Sequence, residues 1–462
     1  MSPRLTWLAA SFVVAFSALI ASVGADAHWL AALGGEIARL GNVPAGVPYA
    51  AAPSIGWENV PVLGELVFHA FEALAGDRGL VLAQALAVAC ALGLTAADMR
   101  RAGAADSPSA LCVLLGAVGS AQALLLVRAQ LFSLALFPLL VLLLRSEERS
   151  PSRRIWLLVP LVALWSNLHG GVVLGLAVAG SYLLLCRLRE QPAVALGVLV
   201  ASGSALLATP ALLDTVDYYR GVLGSEAAVG GEGMWAPLSF SHPFDVAFVV
   251  AGVALVLLAL RTRPRVWQFV ALAGLGAATV QSGRNGVWLA LFAAGPAAKA
   301  LTGSRSWRTV PSQRVTVVVG GLLAALVVVG LVRTPTSAAA GRALRDRAAQ
   351  AAAGRPILAD DINAEQLALD GRLVWIANPL DAFDHAEQRV YLDWLAGRPS
   401  GNALLVEVRA VLVTIGSEPA RRLAHDRRFR EAAHDASAAL FVRYRPARWR
   451  SRPNTASSST GS

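Results

Sequence analysis

A succession of apolar stretches, each close to bilayer length, leaves this chain few ways to fold. They run over Leu5–Val23, Gly79–Ala97, Ser109–Leu126, Leu131–Leu144, Ile155–Arg187, Pro192–Ala208, Phe244–Leu260, Val266–Val280, Gly286–Ala298 and Val315–Val332. About twenty apolar residues cross a hydrocarbon core as helix. Inside lipid every backbone N–H and C=O must be satisfied within the protein, and helices do that segment by segment. With 56% of its 462 residues hydrophobic and 15% charged, the chain has the balance of a polytopic membrane protein. Leu5–Val23 is longer than a signal-peptide core of about 7–15 residues. Although Ala25-Asp26-Ala27 resembles a cleavage site, the segment reads as a retained first anchor.

The Ile155–Arg187 run is interrupted at Trp165–Gly171 by W-S-N-L-H-G-G. Asn and His are costly at membrane depth, so they face a protein interior or a water-filled cavity, or bond a neighbouring helix. Charge decides whether the run crosses once or twice. With two short spans there, the chain has eleven crossings. If the N-terminus is cytoplasmic, sixteen Lys and Arg fall in cytoplasmic segments and five (Arg39, Arg78, Arg128, Arg220, Arg284) in short outer loops. A single crossing would move nine of the sixteen outside, against the positive-inside rule. The expected protein is a multi-pass cell-membrane protein whose C-terminal part is extracytoplasmic. Its net charge of +10 is then a topology signal, and no nucleic-acid partner is expected.

This topology collects Asp26, Arg128, Asn167, His169, Glu232 and Arg284 at the outer face, from separate loops. For Asp26 the alternative is an N-cap; for the two arginines it is snorkelling to headgroups. The first outer loop, Gly24–Arg78, contains two amphipathic segments expected to lie at the interface. One carries Trp29, Leu30, Leu33, Ile37 and Leu40; the other carries Leu63, Leu66, Val67, Phe71 and Leu74. Glu65, His69 and Glu72 form a polar stripe on the second, expected to be solvated.

Residues 1–333 thus form an all-α membrane domain, 334–444 a small α/β domain outside it, and 445–462 an Arg-, Pro- and Ser-rich tail expected to be disordered. Strands are expected at Arg355–Asp361, Leu373–Ala377, Ala410–Ile415 and Ala438–Arg443, and helices at Thr336–Ala353, Asp384–Ala396 and Glu418–Ala424. The apolar character of two of these strands points to a mostly parallel sheet. Asn378-Pro379 should end the second. Asp381 then follows as a cap, or as a ligand contact at the sheet's carboxyl end. Cys90, Cys112 and Cys186 lie in apolar segments, so neither a disulfide nor a metal cluster is expected.

The motifs resemble those of bacterial polytopic membrane proteins related to the GT-C superfamily of lipid-linked glycosyltransferases, which includes protein mannosyltransferases and aminoarabinose transferases. W-S-N-L-H-G-G is the most specific. R-A-Q-L-F-S at Arg128–Ser133 is similar to the group's R-P-Q-L-F-S, Arg284-Asn285 to an R-N pair, and Val374–Phe383 to a motif of the outer domain. The group's D-x-D-x-W-W-H places its first acid on Gly24, its second on Asp26 and its final His on Leu30. Its H-E-W falls on Val60-Pro61-Val62.

The resemblance implies a GT-C-like fold and a polyprenyl-phosphate-linked sugar donor entering from the membrane lipids, with no cofactor. Arg128 and Arg284 would hold the phosphate bidentately. Asp26 would take a proton from the acceptor, while Asn167, His169 and Glu232 would position substrates. A non-catalytic scaffold or lipid-handling protein on the same fold is the alternative. A transporter fits less well, since no inverted repeat is evident.

Overall fold

The computed structural model describes residues 4–24, 26–54, 56–241, 243–302, 311–334, 341–376 and 378–444. Among them a helix falls on every expected apolar segment. In chain order these begin with α1 (Arg4–Ile20), then α2 (Ala27–Leu40) and α3 (Val62–Ala75) of the first outer loop, α4 (Asp77–Arg101), α5 (Asp106–Val118), the short α6 (Ala121–Leu125) and α7 (Leu131–Arg149). Next come α8 (Leu158–Ser166) and α9 (Val172–Tyr182), followed by helices over Pro192–Ala205, Pro243–Leu260, Val266–Gln281, Gly286–Leu301 and Gln313–Arg333. Three helices, Asp77–Arg101, Val172–Glu190 and Gln313–Arg333, are long and apolar enough on their own to cross a membrane. The interrupted run does divide at Asn167–Gly171. Gly175 lies against the Trp165 ring, although ten residues of straight helix would separate them by about 15 Å, so the chain folds back there. Helix Gln313–Arg333 packs on α1 and leaves Val317 and Leu322 more than 60% exposed, an apolar exterior suited to lipid.

A second core joins the outer domain to the first outer loop. Trp29, Leu33, Val47 and Ala52 pack with Leu358, Ile376, Tyr391 and Leu412. The apolar face of α2, expected to lie against the membrane interface, is covered by protein. α2 is held between α3 and the outer-domain helix Asp361–Leu369. α3 also departs from expectation. Its apolar residues Leu63 and Leu74 are exposed, while Glu65 is fully buried and His69 packs on Gly34 and Gly35 of α2. The polar stripe faces protein at Glu65 and His69, while Phe71 on the apolar side packs against the membrane-domain core.

The outer sheet is mixed, where a mostly parallel one was expected. Its order is β3 (Leu358–Ala359), β4 (Ala410–Thr414), β6 (Ala438–Arg443) and β5 (Phe429–His434), with only β3 and β4 parallel. The segment expected as a central strand instead forms isolated parallel bridges through Val374, to Ile357 on one side and to Ala50 of the first loop on the other. Backbone bonds from Ala51 and Ala52 to the carbonyls of Val374 and Trp375 stitch that loop to the domain's edge. Helices Arg342–Ala352, His385–Leu395 and Glu418–His425 are close to expectation where it falls on described residues (336–340 lie outside them), and Asp361–Leu369 was not expected. Ala377 and the tail from 445 lie outside the described residues.

Candidate functional site

One cavity of about 810 Å³ lies between the membrane helices and the outer domain, and Asp26, Arg128, His169, Glu232 and Arg284 all line it. A two-residue parallel ladder aligns the first pair. Here β1 (Ser22–Val23) registers Ser22 with Leu126 and Val23 with Val127 of β2 (Leu126–Val127). The residues that follow, Asp26 and Arg128, then meet in an ion pair of 2.7 Å. Asp26 stands at the N-cap position of α2, yet its side chain makes no capping bond. It has φ 83°, a region that costs non-glycine residues energy but that Asp tolerates. Its backbone N–H donates to Glu365 Oε1 at 2.7 Å. At Gly24, where the resemblance puts an acid, a Cβ would lie 2.6 Å from Leu126 Cδ2, so a side chain there needs that leucine to turn aside.

R-A-Q-L-F-S ties three parts of the site together. Arg128 holds Asp26, Gln130 Nε2 donates to the Arg284 carbonyl at 3.1 Å, and Ser133 reaches His169. Trp165 Nε1 donates to Ser133 Oγ at 2.7 Å, so the hydroxyl's own hydrogen goes to His169 Nδ1, also 2.7 Å away. The Gly171 N–H, which can only donate, bonds the same nitrogen at 3.0 Å. His169 is thereby fixed as neutral imidazole with its proton on Nε2. Burial, then the charges of Arg284 and Arg128, push its pKa down to about 3, in agreement with that tautomer.

Arg284 lies over the Trp235 ring, 3.4 Å from its centre, a cation–π contact. Among the described residues no carboxylate pairs with it. Burial and Arg128 lower its pKa to about 10, which leaves it charged at neutral pH. The cavity therefore holds two guanidinium groups, only one of them with a carboxylate partner.

One expected residue takes another place, and one is engaged by the C-terminal domain. Asn167 does not line the cavity. Its Nδ2 donates to the carbonyls of Ala163 (2.8 Å) and Ala208 (2.6 Å), and its own carbonyl accepts from Gly64 of α3, so it builds the turn that carries His169. Glu232 sits at the rim, paired with Arg398 of the outer domain. Asp381 lines the cavity too, and caps no helix. Its Oδ2 accepts from Trp57 Nε1 at 3.0 Å, and burial raises its pKa to about 6.

Two more acids line the cavity: Glu65, which the sequence offers only as a neighbour of Asp26 on a stripe expected to be solvated, and Asp361, which sequence reading does not single out; Glu365 lies behind them. Glu65, bonded by Asn59 Nδ2 at 2.7 Å, is raised by burial to about 8. Asp361, near the Tyr391 hydroxyl, is raised by burial and by Asp360 to about 6. Glu365 accepts from both the Asp26 N–H and Asn378 Nδ2, and burial pushes it well above the usual carboxylate range. The motif at Val374–Phe383 carries a signal for Glu365 alone, through Asn378, which bonds it.

No family model matches the chain, and no curated protein matches it in sequence. Two crystal structures of ArnT from Cupriavidus metallidurans, one bound to undecaprenyl phosphate and one in the apo state, match it in three dimensions. Each gives a TM-score of 0.54 at 14% identity, covering 93% of this chain and 96% or 95% of ArnT respectively. The fold is similar to that of ArnT. The resemblance read from short motifs to a GT-C membrane fold thus extends over nearly the whole chain. The ArnT likeness includes the outer domain, since coverage this high leaves no room for omitting it.

Proposed function

We propose that this is an integral membrane glycosyltransferase-like protein that uses a polyprenyl-phosphate sugar donor at the outer membrane face. The observation that carries the reading is Arg284, charged and without a carboxylate partner among the described residues, beside Arg128 in one cavity. Buried cations are paired or await an anion, and a phosphate on an apolar tail suits a basic cavity next to lipid. The ArnT structure bound to undecaprenyl phosphate supports the same ligand class.

In this reading a phosphate oxygen competes with Asp26 for Arg128 and releases the carboxylate. The acceptor hydroxyl attacks the anomeric carbon, the C–O bond to phosphate breaks, polyprenyl phosphate leaves, and Asp26 takes the hydroxyl proton. The neutral His169 offers its Nε2–H to a donor or acceptor oxygen. The Asp26–Arg128 ion pair also favours a second reading, binding of the lipid phosphate without transfer.

Two variants test both readings. Arg284→Ala in lipid nanodiscs should weaken undecaprenyl phosphate binding about tenfold to a hundredfold, the worth of a charge-assisted contact. Unchanged affinity would sink the proposal. Asp26→Asn should keep binding and abolish transfer from a polyprenyl-phosphate sugar. If wild type shows no transfer to any acceptor, the binding-only reading stands.

A further inference from the structure

The outer domain carries a second cavity, of about 540 Å³, within the domain itself. It is framed by the end of helix His385–Leu395, the turn Pro399–Ala403 and helix Glu418–His425. The first helix separates it from the larger cavity: Leu392 and Leu395 line that one, whereas Trp394 lines this one. Trp394, Leu405 and Leu423 are its buried apolar lining. Its size is that of a small-molecule site, about 300–1,000 Å³.

Three arginines line it. Arg421 pairs with Glu418, and Arg428 with Asp426. Arg422 has no carboxylate partner among the described residues. Its Nη1 donates to the Arg398 carbonyl and its Nη2 to Asn402 Oδ1, each at 3.1 Å. Both acceptors are neutral, so they orient the guanidinium and leave its charge unmatched. A charged acceptor makes bonds roughly twice as strong as a neutral one, so an oxyanion reaching Arg422 would displace them.

The surrounding sequence has the same sign. Glu418–Arg430 holds five arginines against two acids. The Tyr444 N–H bonds the Arg428 carbonyl at 2.7 Å, which brings the end of the described chain beside a lining residue. Residues 445–452 then add four arginines and no acid, so that stretch brings no carboxylate for Arg422 either. An ammonium would be repelled here, and a neutral sugar would leave the guanidinium unmatched.

We propose that this second cavity binds a small oxyanion, a phosphate or carboxylate group on a compact organic body, received by Arg422. The site stands apart from the larger cavity and does not depend on sugar transfer there.

The test titrates the full-length protein, in phosphatidylcholine nanodiscs, with glucose 6-phosphate and with glucose. Glucose 6-phosphate should bind at least tenfold more tightly. Arg422→Gln should weaken it about tenfold, the worth of a charge-assisted contact, while Arg284→Ala leaves it unchanged. Asn402→Asp keeps the arginine and sets a carboxylate against it, so it should weaken binding as much; this nearly isosteric change serves if Arg422→Gln fails to fold. Equal affinity for the two sugars, no measurable binding of glucose 6-phosphate, or affinity lost in Arg284→Ala and kept in the other variants overturns the site. Adding phosphatidylglycerol to the discs separates two sources of the anion. Competition with glucose 6-phosphate supports the site as one for a lipid headgroup, and undiminished binding supports it as one for a soluble anion.

Discussion

Single residues decide what this cavity can hold, and charge topology made several of them legible. Counting lysines and arginines groups Asp26, Arg128, Asn167, His169, Glu232 and Arg284, and all but Asn167 line the one cavity. Glu65 was not legible: a carboxylate one turn from a His and two from a second Glu looks like a wet face. Only the close approach of α2, through Gly34 and Gly35, reveals that it is dry. Its titration can be measured. With a folded-state pKa raised to about 8 from 4.5, the folded chain keeps a proton that the unfolded chain releases. Between those two values stability falls as pH rises, by up to about 1.4 kcal/mol per pH unit for such a group. Glu65→Gln should flatten the decline of melting temperature from pH 5 to pH 8. Parallel wild-type and variant curves would mean that Glu65 ionises in the folded protein.

At the scale of elements, apolar length locates the helices, since burial in lipid or protein demands the same residues throughout, but among the described residues only three are long and apolar enough alone to cross a membrane. It read the outer sheet poorly. β5 went unnoticed because it is an edge strand whose Arg430 and Glu431 are exposed, so no alternation announces it. The apolar run around Val374 predicts a full strand, but its neighbour at 49–52 comes from a proline-punctuated loop with no strand signal of its own. Contacts between elements are tighter than sequence implies. A Cβ on Gly34 would lie 2.1 Å from the Glu65 carbonyl oxygen, a backbone atom that cannot move aside alone. Gly34→Ala should push α2 from α3 and cost about 1–3 kcal/mol, as overpacking does. A thermal melt checks it, and an unchanged melting temperature would show that the two helices slide freely.

For the whole molecule, the sixteen-to-five charge count predicts that residues after Arg333 lie outside the cytoplasm. A reporter fused at that point should be active only as an extracytoplasmic marker; cytoplasmic activity would invert the orientation and with it the placing of the cavity. Sequence divided the chain at residue 333, because composition changes there. Physically the division runs elsewhere, since Trp29, Leu33 and Val47 belong to the outer core. That stitching sets a schedule. Ala50 and its bridge partner Val374 are 324 residues apart, and synthesis at about 5–20 residues per second puts roughly 16–65 s between them. For that interval the 24–78 segment is finished with the surface of Trp29, Leu33 and Val47 unclaimed. Newly made protein is therefore most vulnerable to proteases and misassociation before its last hundred residues arrive.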